Sequence, residues 1–92
     1  MKTFQLDGRP NHLEFANHDR ISEKILFDQI FDKLKQDQRI TIGKKKIGPS
    51  EDYYKCSIGS GEFTLFYDID DGASIYCSDE VVMQKLVELF QD

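Results

Sequence analysis

The stretch Gly61-Glu62-Phe63-Thr64-Leu65-Phe66-Tyr67-Asp68-Ile69-Asp70-Asp71-Gly72-Ala73-Ser74-Ile75-Tyr76-Cys77-Ser78 decides the fold. Two β-rich runs flank Asp70-Asp71-Gly72, and a three-residue loop ending in a left-handed residue, where glycine costs nothing, is a common hairpin closure. That loop predicts Ile69 opposite Ala73, Tyr67 opposite Ile75 and Leu65 opposite Cys77, so one surface of the ribbon is apolar throughout. The other surface pairs Asp68 with Ser74, Phe66 with Tyr76 and Thr64 with Ser78, an aromatic couple among polar groups. A two-residue Asp71-Gly72 turn slips the pairing by one and scatters the apolar residues over both faces, so it is rejected.

Working outward, Asp52 to Ile58 reads as the preceding strand, joined through a tight Ser60-Gly61 turn. Pairing across that turn sets Ile58 against Phe63, Cys56 against Leu65 and Tyr54 against Tyr67. Cys56 and Cys77 then flank Leu65 from opposite sides, two spacings of about 4.8 Å apart. A disulfide needs Cα atoms closer than about 7 Å, so both cysteines are expected to be reduced. On the reverse face this register aligns Lys55, Phe66 and Tyr76 in one row and Tyr53, Asp68 and Ser74 in another, which makes those rows the candidate binding surface.

Two helices are predicted to cover the apolar face. Ser22 is an N-cap, with Ile21 and Leu26 at the spacing of a hydrophobic staple. Leu26, Phe27, Ile30, Phe31 and Leu34 then form one stripe at helical period, opposite Lys24, Asp28, Asp32 and Lys35. Asp28 and Asp32, one turn apart between lysines, read as a solvated face rather than an acid/base pair. Ser78-Asp79-Glu80 caps a closing helix whose inner stripe is Val82, Met83, Leu86, Leu89 and Phe90.

The remaining strands come earlier in the chain. Phe4 and Leu6 share one parity, Leu13 and Phe15 the other, and the turn-rich Asp7 to Asn11 lies between them. An opening hairpin with Leu6 opposite Leu13 and Phe4 opposite Phe15 puts all four on one face. His12 and His18, beside that second strand, read as solvated residues without partners. Arg39 to Ile47 is a further strand, in which a bulge at Gly43 returns Ile47 to the core side. Lys44, Lys45 and Lys46 read as protection of an edge strand.

Ninety-two residues predict a single domain, 1–92, with one modest core. The net charge of -5 is unevenly spread. Residues 1–50 carry ten Lys/Arg against seven Asp/Glu, a balance of +3, and residues 51–92 carry two against ten, a balance of -8. An acidic C-terminal half argues against nucleic acid, whose binders neutralise phosphates with cations, and suits a basic partner. The opening residues lack an apolar run of signal-peptide length, and no run reaches the roughly 20 residues of a membrane span, so a cytoplasmic protein with no membrane partner is expected.

No motif points to catalysis. The chain has no Gly-x-Ser-x-Gly elbow, Cys-x-x-Cys, His-Glu-x-x-His or glycine-rich nucleotide loop. The spacing of Cys56, Cys77, His12 and His18 matches no zinc site. A calcium loop ending at Gly72 puts Tyr67 and Ile69 where ligands are needed. The expectation is a non-enzyme with no metal or cofactor. What remains is the sheet face opposite the helices, where Phe66 and Tyr76 are ringed by Tyr53, Glu62, Asp68, Asp70 and Asp71, apolar anchors in a charged rim.

In size, acidity and element order, and in the run Glu62 to Ser78 followed by a helix from Asp79, the chain resembles the small immunity proteins encoded beside bacterial polymorphic or contact-dependent toxins. The resemblance implies a cytosolic non-enzyme that neutralises a toxin, often a basic nuclease, by covering its active site with acidic and aromatic side chains. It assigns no individual residue. The expected fold is α+β, an antiparallel sheet of about five to six strands with two helices packed on one face, in the order ββαββββα. The expected function is binding of a basic toxin domain through Tyr53, Phe66, Asp68, Asp70, Asp71 and Tyr76. The rival readings are a small enzyme or ligand-binding domain, which predicts a concave pocket with convergent polar groups, and a homo-oligomer, a homodimer included, that self-associates through the same face.

Overall fold

Along the chain, apolar alternation and helical periodicity give β1 (Thr3–Phe4), β2 (His12–Phe15), α1 (Glu23–Gln36), β3 (Ile40–Ile47), β4 (Glu51–Ile58), β5 (Gly61–Asp68), β6 (Gly72–Tyr76) and α2 (Glu80–Leu89). The computed structural model describes every residue except Ile69, Asp71 and Asp92. Six antiparallel strands form one sheet in the order β1-β2-β6-β5-β4-β3, and both helices lie on one face of it. This is the α+β architecture and element order expected from the sequence.

The helices begin where their caps dictate. The Ser22 hydroxyl accepts a hydrogen bond from the Ile25 N–H at 3.2 Å, and the Asp79 carboxylate accepts from Val81 and Val82 at 2.9 and 3.2 Å. Each cap satisfies N–H groups that the first helical turn leaves without partners. From α1, Leu26, Phe27, Ile30 and Leu34 are buried, and Phe31 packs half-buried beside them. From α2 come Val82, Met83 and Leu86, with Phe90 just beyond its end meeting Phe15 edge-on at 4.9 Å. Leu13, Ile58, Phe63, Leu65 and Ile75 rise from the sheet to meet them, and among the described residues nothing polar is buried.

The registers of the two C-terminal hairpins differ from expectation by two residues each. Leu65 faces Ile75 rather than Cys77, and Tyr67 faces Ala73 rather than Ile75. The Asp68 carboxylate accepts the Asp70 N–H at 2.7 Å, an Asx turn that ends the ladder at the Asp68–Gly72 pair. Gly72 does take a left-handed backbone, φ +79°, but inside the ladder, and the expected Ile69–Ala73 pair falls on a residue outside those described. In the other hairpin Cys56 faces Phe63, Tyr54 faces Leu65 and Ile58 faces Gly61, so the turn is Gly59-Ser60 and not Ser60-Gly61. Gly61 belongs in the ladder because it lies under α2, where a Cβ would collide with the Val82 side chain. An even slip preserves the faces, so the apolar surface survived both errors.

The opening hairpin differs by one, and there the faces exchange. Phe4 pairs with Glu14 and Thr3 with Phe15. Two successive turns, closed by hydrogen bonds from the Arg9 N–H to Leu6 and from the His12 N–H to Arg9, replace the single loop expected. Leu13 and Phe15 enter the core, whereas Phe4 and Leu6, expected beside them, are 43% and 47% exposed on the opposite side. At the far edge the Gly43 bulge forms, with Ile42 opposite Cys56 and Lys45 opposite Tyr54. Ile47 regains the helix-side parity but is 80% exposed and does not join the core, because at the tip of the edge strand no helix covers it. Lys44, Lys45 and Lys46 lie on that edge strand, as an edge-protecting role requires.

Candidate functional site

Residues paired across antiparallel strands share a face, so the ladders assemble the helix-free surface row by row. One row crosses all six strands: Phe4, Glu14, Ser74, Phe66, Tyr53 and Lys46. A second holds His12, Tyr76, Thr64 and Lys55, and a third Gly72, Asp68 and Glu51. The expected rows, Lys55–Phe66–Tyr76 and Tyr53–Asp68–Ser74, are therefore wrong in membership although right in face, the consequence of the two-residue slips. Phe66 lies directly beside Tyr53, ring centroids 5.9 Å apart. Tyr76 is one row away, 38% exposed and 5.2 Å from the His12 ring.

Beside Phe66 the surface is hollowed into an open groove of about 610 Å³. Its first wall comes from β1, β2 and the turn between them: Phe4, Leu6, Arg9, His12 and Glu14. Its second comes from Glu51, Phe66, Asp68 and Ser74. Glu23, the first residue of α1, closes one end by reaching into the space that a side chain at Gly72 would fill. Inside the groove the Arg9 guanidinium donates from Nη2 to His12 Nδ1 at 3.2 Å and approaches Glu14 at 3.9 Å. His12 is thus not the partnerless histidine expected from the sequence. It meets Arg9 through one ring nitrogen and the Tyr76 ring at a tilt of 59°.

Of the residues singled out in the sequence, Phe66 and Asp68 line the groove, while Tyr53 and Tyr76 flank it on the same face. Asp70 is exposed, and its N–H closes the Asx turn of Asp68. Asp71 lies outside the described residues. The groove's other carboxylates, Glu14, Glu23 and Glu51, and its cation Arg9 escaped the sequence reading. The pairing of β2 with β6 that brings Glu14 to Ser74 joins segments about sixty residues apart, which no local pattern encodes. The alternation His12-Leu13-Glu14-Phe15 was the available signal, since it turns Glu14 outward once Leu13 and Phe15 go in.

The thiols lie on the other side of the sheet. Cys56 on β4 and Cys77 just beyond the end of β6 are free and buried, with β5 between β4 and β6 as expected. Burial pushes the Cys56 thiol up to about 11, against backbone hydrogen bonds from Gly43 and Leu65 that lower it, so it is no nucleophile at neutral pH. Burial also raises Cys77. Among the described residues no group of acidic, histidine and cysteine side chains is placed to hold a metal ion, and no helix is long and apolar enough to cross a membrane. Comparison with known proteins finds no family model, no curated protein and no solved structure that matches the chain.

Proposed function

We propose that the chain is a non-enzymatic binding protein of the immunity type, which neutralises a basic toxin domain by laying the helix-free sheet face over it. The observation that carries this reading is the Tyr53–Phe66 pair at mid-sheet beside a groove edged with carboxylates. Aromatic anchors inside a charged rim are what a tight protein interface needs, and the acidic rim selects a cationic partner and speeds its approach. The same rim disfavours nucleic acid and anionic lipid, whose phosphates its carboxylates repel. The cytosol is part of the proposal, because two buried free thiols suit a reducing compartment.

The test is a calorimetric titration of the purified chain with the basic domain encoded beside it. Replacing both Tyr53→Ser and Phe66→Ser, or both Asp68→Lys and Asp70→Lys, should weaken binding on the order of 100-fold, as expected when anchors are removed from an interface. Unchanged affinity in both double variants would remove this face from contention. A second reading is favoured by the groove itself, which is concave, of ligand-pocket size, and holds the convergent polar groups Arg9, His12 and Glu14. The two readings part at Tyr53, which lies outside the groove wall: its loss weakens a protein partner and leaves a groove-bound small molecule untouched.

A further inference from the structure

We infer that the groove takes an arginine side chain from the partner and that Arg9 holds its place in the free protein; this rests on the reading of the face as a protein interface. Charge sets the sign of the occupant. Among the described lining residues four carboxylates, Glu14, Glu23, Glu51 and Asp68, face one guanidinium. Phe66 in one wall and the exposed Phe4 in the other favour arginine over lysine, because a planar, weakly hydrated guanidinium stacks flat on aromatic rings at less desolvation cost than a compact, strongly hydrated ammonium.

Arg9 already samples this environment. Its contact with Glu14, 3.9 Å, is well outside the 2.7–2.9 Å of a charge-assisted hydrogen bond, and its side chain is 51% exposed. Such a loose pair is given up cheaply. The backbone of Arg9 is held in its turn by the hydrogen bonds to Leu6 and from His12, so the guanidinium can swing out while the turn stays. Its departure also frees His12 Nδ1, which Arg9 contacts, for an incoming donor. An arginine of the partner that reaches Glu14 in bidentate geometry therefore replaces a weak internal contact with a stronger one of the same kind.

If Arg9 competes with the partner, removing it must tighten binding, the reverse of what loss of an ordinary contact does. The test follows backbone amide shifts of the whole chain during titration with a capped Gly-Arg-Gly-Arg-Gly peptide, its lysine counterpart and its uncharged citrulline counterpart. Shifts should centre on Glu14, Phe66, Asp68 and Ser74 with the arginine peptide, weaken with lysine and vanish with citrulline. Arg9→Ala should bind the arginine peptide about two- to five-fold more tightly, the range set by one exposed ion pair, and Glu14→Gln more weakly by a similar factor. Glu51→Gln repeats the second arm should Glu14→Gln fail to give a folded spectrum. Equal or weaker binding by Arg9→Ala overturns the place-holder, and lysine binding as tightly as arginine overturns the choice of side chain. Either result leaves the interface reading standing on the titration with the basic domain, which uses different variants.

Discussion

The two faces of this sheet are made by the same strands, one residue out of step, and they have opposite characters. Beneath the helices Leu65 and Ile75 sit opposite one another with no exposure at all. On the other side their chain neighbours Phe66 and Ser74 sit opposite one another in a surface that water reaches. Among the described residues the covered face buries no charged or strongly polar side chain, whereas the open face mixes rings with carboxylates that a packed core would reject. The difference separates what holds the molecule together from what it leaves open to water. Substitutions a single position apart should therefore report on different properties.

The largest effect belongs to the covered face. Leu65→Ala empties a fully buried site on a strand inside the sheet and should cost about 2–5 kcal/mol, read from urea unfolding midpoints. Next comes the alkaline limb of stability, also a property of that face. The Cys56 thiol stays neutral in the fold to about pH 11 but ionises in the unfolded chain near 9.0. Its contribution is fully present below the lower value and is lost as pH rises through the upper, of order 2 kcal/mol in all. Cys56→Ala should flatten the stability profile over that window; an unaltered slope would mean that other groups set it. The smallest effect on stability is expected from Phe66→Ala, which loses a cross-strand ring contact and should cost at most about 1 kcal/mol in the same unfolding assay. A cost equal to that of Leu65→Ala would dissolve the distinction between the faces.

Local chemistry made much of this legible in the sequence. The caps at Ser22 and Asp79 are read from neighbouring residues, and so are the helical stripes and the parity of every strand in the C-terminal meander. Register was not legible there, because a slip of two leaves each apolar residue on its own face, and only the Asx bond of Asp68 and the contact of Gly61 with Val82 decide between the alternatives. In the first hairpin the same uncertainty was costlier. The turns between Leu6 and His12 shift the pairing by one, which moves Phe4 and Leu6 from the expected core to the open face. The face was therefore foreseen in Tyr53, Phe66, Asp68 and Tyr76, while the groove was not, since half of its wall depends on that shift and on a strand pairing between the two ends of the chain. Ile47 failed for a simpler reason: alternation tells which way a residue points but not whether anything is there to meet it.

The lysine-bearing margin of β3 carries a consequence beyond keeping other strands away. With positive charge along one border of the plate and carboxylates gathered around the hollow, the molecule has an in-plane electrical moment. Within a screening distance of about 8 Å at physiological salt, a positively charged visitor feels a torque that turns it before it touches, repelled from one border and drawn toward the hollow. A basic partner of the kind proposed would then land in one pose rather than many, and concentrated salt should abolish that alignment while leaving the rings in place.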